Sequence, residues 1–355
     1  MYQALSLCAL LFISRKLKEA GIPSTILNVS MILYVLWEIL GFVVAYDIAR
    51  AEVDIFPLHF AEIIRSVDVT VIIIILLGFF AFFGVDLITG FRGYTKQKAL
   101  LALFLLACVT IYGMGEAYFV RRRDITIPTT KLPEGLDRLR VVFLSDVHIG
   151  GLSTLMHLER VIKIVEEAGP DILLLGGDTL DGDMSYRAEE LALLKSAAGK
   201  ARYGAFAVNG NHEHYWLLDV DVEGIIRECG YHLLIDERVE TAGITIIGME
   251  DIKKGWLKVF LKSEDASRFV LVLKHRPGLP FDAEGRFDLQ LSGHTHGGQF
   301  WPLGYFKNMV AGSTQGLSRK AGGWVYVSNG SGFNHAMMRL FVPPEVTVID
   351  IVREK

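Results

Sequence analysis

The sequence predicts an α/β domain of two packed sheets with helices outside, preceded by a bundle of three to four membrane-spanning helices. Three observations predict it. The hydrophobic excess of this 355-residue, 51% apolar chain lies almost entirely before Arg121. After Arg123, short β-branched runs alternate with helical patterns and then give way to further strands. Five of those runs end in polar clusters rich in carboxylate, amide and imidazole groups.

Residues 1–123 read as the anchor. A bilayer span needs about 20 mainly apolar residues. Val29–Ile48, Val67–Ile88 and Ala99–Val120 meet that length. Tyr2–Ile13 is shorter, has no basic first segment and no small-residue cleavage pattern, and reads as a thin first span rather than a signal peptide. Lys and Arg divide almost evenly between the two sides: Arg15, Lys16, Lys18, Arg92, Lys96 and Lys98 against Arg50, Arg65 and Arg121–Arg123. The positive-inside rule therefore assigns no orientation. Glu38 falls inside a span; an interfacial, protonated or helix-paired carboxylate is favoured over an ion pathway.

Residues 124–139, with Pro128 and Pro133, read as a linker, and residues 140–355 as the second domain. Arg140–Leu144 is a strand ending at Asp146-Val147-His148, and Asp171–Leu175 one ending at Gly177-Asp178. Tyr203–Val208 runs into Asn209-Gly210-Asn211-His212-Glu213. Phe269–Leu273 runs into His275-Arg276-Pro277, and Phe287–Leu291 into Gly293-His294-Thr295-His296-Gly297-Gly298. Ser153–Glu167, Arg187–Lys200 and Asp219–Glu228 are helical, and Thr241–Gly248, Trp324–Ser328 and Glu345–Val352 are strands. Polar groups at strand ends converge on one sheet edge, where open α/β folds bind ligands.

Asp146, His148, Asp178, Asn211, His275, His294 and His296 are all oxygen or imidazole donors. Without thiolates they suit Mn, Fe, Zn or Mg better than a cysteine-based zinc site. Seven ligands exceed one tetrahedral ion but suffice for two if one carboxylate bridges. Two adjacent cations suit in-line attack on phosphorus. Taken singly, Asp-x-His is a solvated loop pair, Gly-Asp a turn and His275 an ordinary histidine. Gly-Asn-His-Glu and Gly-His-Thr-His-Gly-Gly are more specific, and the ordered set more specific still.

Asp146-x-His148, Gly177-Asp178-x-x-Asp181, Gly210-Asn211-His212-Glu213, His275 and Gly293-His294-x-His296 resemble the five ordered motifs of the calcineurin-like metallophosphoesterase superfamily, over residues 140–352. The resemblance implies a four-layer αββα sandwich. It implies one metal on Asp146, His148, Asp178 and His296, and a second on Asp178, Asn211, His275 and His294, with Asp178 bridging. It also implies that His212 serves the phosphoryl group, oriented by Asp181. Lys274-His275-Arg276-Pro277, Gly293–Gln299 and Pro343-Pro344-Glu345-Val346-Thr347 look like the membrane-associated branch. That branch holds transmembrane metallophosphoesterases and enzymes similar to UDP-2,3-diacylglucosamine pyrophosphatase. Asn334-His335-Ala336-Met337-Met338 departs from that branch's plainer pattern, and Arg339 is a candidate contact for substrate phosphate. His157, His214 and His232 lie off the motifs and read as solvated or structural.

The expected function is hydrolysis of a phosphoester or pyrophosphate bond by direct attack of a metal-bridging hydroxide. Two divalent ions are its cofactors, manganese first. The expected partners are a lipid bilayer and a phosphorylated, lipid-linked or membrane-associated small molecule, at a multi-pass membrane location. A nucleotide or nucleic-acid phosphodiesterase is the rival enzyme, and a non-catalytic metal-binding scaffold the rival outside catalysis. A net charge of −4 argues against long nucleic acid. Cys8, Cys108 and Cys229 have no redox or ligand spacing and read as buried thiols.

Overall fold

The computed structural model describes residues 2–50, 58–91, 93–151, 154–181, 184, 187–215, 220–251, 257–262, 266–280, 282–301, 315–333 and 336–354. It divides into two compact units, Met1–Gly115 with His335–Met338, and Glu116–Asn334 with Arg339–Lys355.

The first unit is helical: α1 (Tyr2–Glu19), α2 (Ser24–Arg50), α3 (Leu58–Thr89) and α4 (Lys96–Tyr118). Ile13, Ala20, Phe82, Val85, Tyr94, Ala99 and Ala102 form its packed core. The buried Asp86 carboxylate meets Lys16 Nζ at 2.6 Å, which supplies the counter-charge an apolar bundle requires. Among the described residues, two helical stretches are long and apolar enough to cross a membrane, Ser66–Thr89 and Lys96–Tyr118. Of the expected three to four spans, these two are found among the described residues, and the expected span Val29–Ile48 runs past Leu40 into positions whose side chains are not described. The Tyr2–Ile13 run does not stop at Ile13 but continues to Glu19, carrying Arg15, Lys16 and Lys18. The apolar part of α2 with described side chains is the shorter Ser24–Leu40. Arg92 lies outside the described residues. Cys229 is buried as expected, whereas Cys8 and Cys108 lie on the surface of their helices.

The second unit runs β1 (Arg121–Thr129), β2 (Arg138–Leu144), α5 (Leu155–Ala168), β3 (Ile172–Gly176), α6 (Ala188–Ala198), β4 (Ala205–Val208), α7 (Asn211–Tyr215) and α8 (Val222–Glu228). It continues β5 (His232–Leu233), β6 (Glu237–Thr241), β7 (Ile244–Met249), β8 (Val270–Lys274), β9 (Leu289–Ser292), β10 (Gly316–Lys320), β11 (Gly323–Val327) and β12 (Glu345–Arg353). One sheet has the order β1-β12-β2-β3-β4-β5, the other β10-β11-β9-β8-β7-β6. Because strand side chains alternate, each sheet has two apolar faces to cover. Phe143, Leu174, Phe206, Ile246, Leu271, Leu291, Tyr326 and Ile349 fill the space between the sheets. The other face of the first sheet, including Val142, Leu144, Leu173 and Val348, packs on Leu158, Val161 and Val165 of α5, Leu194 of α6 and Ile226 of α8. Outside the second sheet, the described residues contribute loops and the 3-10 turn Leu257–Val259, not a layer of long helices.

Several expected elements differ. The start of the expected linker is strand β1, parallel to β12, with Arg121 opposite Glu345. It is an edge strand, which tolerates Pro128 and explains its charged beginning. Most of the expected strand Thr241–Gly248 is β7, but its start is the turn of the β6–β7 hairpin, because Ala242 and Gly243 take φ of 48° and 76°. Helix α5 begins after Thr154, whose side chain accepts from His157 N, and stops at left-handed Gly169. The helix expected from Asp219 begins at Val222. Ser153, Asp219, Asn334 and His335 lie outside the described residues.

Candidate metal centre

Strands β2, β3 and β4 are parallel neighbours in one sheet, and β8 and β9 in the other. Their C-terminal ends deliver the expected donors to one edge. The backbone there is unusual. Asp146, His148, Asp178, His294 and His296 all take left-handed φ, of 54°, 52°, 50°, 71° and 48°. Non-glycine residues rarely adopt that conformation, and clusters of such strain mark functional sites. Close approach is also required at Gly210, where a Cβ would lie 2.2 Å from Asp178 Oδ1.

Two groups of donors form. In the first, His296 Nε2 is 3.3 Å from Asp146 Oδ1 and 3.3 Å from His148 Nε2. In the second, His275 Nε2 is 3.2 Å from both Asp178 Oδ2 and His294 Nδ1. Asp146, His148 and His296 could hold one ion, and Asp178, His275 and His294 another; Asp178 also lies within reach of His148 and His212. The donor set fits such ions on three counts. His275 Nδ1 donates to Gly176 O at 2.8 Å, which leaves the Nε2 lone pair facing the centre. His148 Nδ1 is engaged by Asp181, which does the same for its Nε2. Asn211 Oδ1 is buried without a hydrogen-bond partner, the condition of a ligand whose cation supplies the missing interaction.

Asp181 contacts two imidazoles. Its Oδ2 is 3.1 Å from His148 Nδ1, and its Oδ1 is 3.1 Å from His212 Nδ1. The first contact was not visible in the motif spacing. Burial opposes ionisation of Asp181, yet His148 and His212 hold its carboxyl well below the usual range. Burial likewise pushes the His148 and His275 imidazoles down, but the carboxylates outweigh it and lift them to about 9 and about 10. Burial, with Asp178 adding, pushes the Asp146 carboxyl up against the opposing charge of His275. Carboxylates this crowded call for cations.

Glu213 is fixed by its own loop. Its Oε1 accepts from Thr179 N and Leu180 N at 2.6 and 3.0 Å, and its Oε2 from Asp178 N and Gly210 N at 3.0 and 2.8 Å. One buried carboxylate thus ties the end of β3 to the end of β4. The bond from Gly210, three residues earlier at the start of α7, is half of a capping box; that spacing was the available sequence signal.

Arg339 is not placed to meet substrate, contrary to expectation. It is fully buried, donates to the carbonyls of Asn329, Gly332 and Val342 at 2.8, 2.9 and 3.2 Å, and lies 3.2 Å from His296 Nδ1. It backs the His296 ring and clamps the 328–333 loop. That loop closes over the first motif: Ser331 N donates to Ser145 O, and Gly332 N to Asp146 O. His157 is structural, as expected, its Nε2 donating to Ser331 O at 2.6 Å. His214 Nε2 meets Glu250 Oε1 at 2.7 Å, and exposed His232 pairs with Glu237.

Residues 139–298 match the family of calcineurin-like phosphoesterases. An uncharacterized metallophosphoesterase of Aquifex aeolicus is 35% identical over 263 residues, covering 70% of this chain and 98% of that protein. A transmembrane protein with metallophosphoesterase domain from Danio rerio is 31% identical over 283 residues, covering 71% of this chain and 62% of that protein. An uncharacterized metallophosphoesterase of Campylobacter jejuni is 29% identical over 274 residues, covering 72% and 70%.

Proposed function

The chain belongs to the calcineurin-like metallophosphoesterases, and from that premise we propose that it hydrolyses a phosphodiester or pyrophosphate bond in a membrane-associated or lipid-linked small molecule. The observation that carries the chemistry is the pair of donor groups on one sheet edge, both within reach of His212 and Asp181. Asp146, His148, Asp178 and His296 hold one ion in this reading. Asp178, Asn211, His275 and His294 hold the second. The thiolate-free donors suit manganese first, with iron, zinc or magnesium as alternatives. Two such ions, when bound, supply Lewis-acid charge and lower the pKa of water.

The chain's own groups do the rest. Asp181 orients His212 through Nδ1. His212 then presents Nε2–H to the phosphoryl group or the leaving oxygen. Water oxygen bonds to phosphorus, the bond from phosphorus to the leaving oxygen breaks, the leaving oxygen takes up the His212 proton, and the proton given up by the water restores His212. Glu213 and Arg339 keep the donors in place.

The membrane side of the proposal rests on the two long apolar helices and on the membrane character in the name of the Danio rerio relative. The anchor places the enzyme where its substrate is amphipathic. The test is turnover by the full-length chain in detergent with Mn²⁺, against bis(p-nitrophenyl) phosphate and a total lipid extract. Metal-dependent release of p-nitrophenol, and of phosphomonoester lipid from the extract, is expected. Well-folded, metal-loaded protein that cleaves neither would contradict the proposal.

A further inference from the structure

Strands β7 and β8 are parallel neighbours, with Met249 opposite Lys274. Beyond that pair both chains leave the sheet on the edge that carries the donors. One continues as Glu250-Asp251, the other as His275-Arg276. The Asp251 side chain is 1% exposed, and its Oδ2 lies 3.0 Å from Arg276 Nε, on a side chain that is 41% exposed. A buried carboxylate therefore anchors one edge of the guanidinium while the remainder faces solvent. The segment is fixed further back, where half-buried Lys274 donates from Nζ to Arg276 O at 3.1 Å.

The chemistry proposed above uses neither residue. A pair with a half-exposed partner stabilises a fold little. A planar cation held by one edge, next in sequence to a candidate metal ligand, is instead arranged for recognition. Arginine in that setting presents its free N–H groups as a fork that matches phosphate oxygens.

We propose that Arg276, positioned by Asp251, binds a second, non-reacting phosphate of the substrate, so that the enzyme selects pyrophosphate-bridged molecules over those carrying a single phosphate. The inference rests on the hydrolase reading and names the substrate class within it. Reaction at such a molecule adds water across the P–O–P bridge and yields two phosphomonoesters.

The test compares wild-type full-length protein with R276Q, R276K and D251N, all loaded with Mn²⁺. Two readouts are needed. The first is the ratio of kcat/KM for diadenosine diphosphate to that for bis(p-nitrophenyl) phosphate. The second is calorimetric affinity for methylenediphosphonate relative to methylphosphonate. For R276Q both ratios are expected to fall about 10- to 100-fold, the loss of one or two charge-assisted hydrogen bonds. R276K should recover part of that loss, and D251N should fall in the same direction as R276Q. Unchanged ratios in R276Q would overturn the assignment. Wild-type protein that binds the diphosphonate selectively through Arg276 but cleaves neither ester would sink the hydrolase reading and leave the phosphate site standing.

Discussion

Asp181 lies 3.1 Å from the Nδ1 of His212, and its other oxygen lies 3.1 Å from the Nδ1 of His148. A single carboxylate thereby sets the tautomer of two imidazoles, the one proposed to serve the phosphoryl group and one proposed to hold a metal. D181N would present an amide N–H to one of the two rings. Steady-state kinetics should show kcat lowered about 10²- to 10³-fold, and metal titration an affinity about 10-fold weaker. H212A should separate the roles, with turnover lost and metal content retained. Loss of metal together with activity in H212A would place that imidazole among the ligands instead.

Glu213 accepts four backbone N–H groups from two loops. Glutamine offers one acceptor oxygen and turns a donor toward the others. E213Q should therefore lose about 2–4 kcal/mol of stability, from buried donors left unpaired. Thermal unfolding of metal-free protein checks this, because it separates the scaffold's loss from any loss of bound ions. An E213Q variant as stable as wild type would show that the loops are held by other means.

His157 is buried against Ser331 and Phe333, and burial, against the Ser331 carbonyl's opposing pull, holds its imidazole down at about 4. The unfolded chain binds a proton near 6.5, so between pH 6.5 and about 4 the unfolded state holds more protons than the folded one. Stability contributed by the neutral ring is thus complete above pH 6.5 and is lost as pH falls toward 4, by about 3 kcal/mol in total. Melting temperatures of wild type and H157F across that window should converge as pH falls. Parallel curves would contradict the assignment.

Arg339 is a buried cation whose N–H groups serve three carbonyls and whose guanidinium backs His296. R339M would leave those carbonyls orphaned, and removing a buried charged partner typically costs about 3–5 kcal/mol. R339K, which keeps the charge but not the fork, should recover only part of the stability. Melting temperature and metal affinity should fall together in both variants. A loss of activity with neither of those changed would instead support direct contact with substrate.

The donors were legible in the sequence because chemistry constrains them: alternating imidazoles, a carboxylate after a strand and an amide before His212 have few other uses together. The central strands were legible for a similar reason, since runs such as Ile172–Leu175, buried on both faces, carry an unbroken apolar signal. Edge elements were not. Arg121–Thr129 begins with three arginines and contains Pro128, features that suit an edge strand but read locally as a linker. The Glu237–Thr241 strand, exposed and half-exposed along its length, carries no apolar stripe at all. The supporting shell was also hidden. Arg339 and the second contact of Asp181 act through backbone groups and partners distant in sequence, which no local pattern encodes, and for Glu213 only the capping-box bond from Gly210 was local. In the helical unit, the apolar run Tyr2–Ile13 hid the helix's true end, because α1 continues through Arg15, Lys16 and Lys18 to Glu19.

The most direct test of the central claim is metal stoichiometry. Full-length wild-type protein, purified without chelator and analysed by inductively coupled plasma mass spectrometry, should carry two divalent ions per chain. D178N, which alters the carboxylate placed between the two donor groups, should carry fewer than one. Wild-type protein holding no ion after equilibration with Mn²⁺, or D178N holding two, would contradict the two-ion centre.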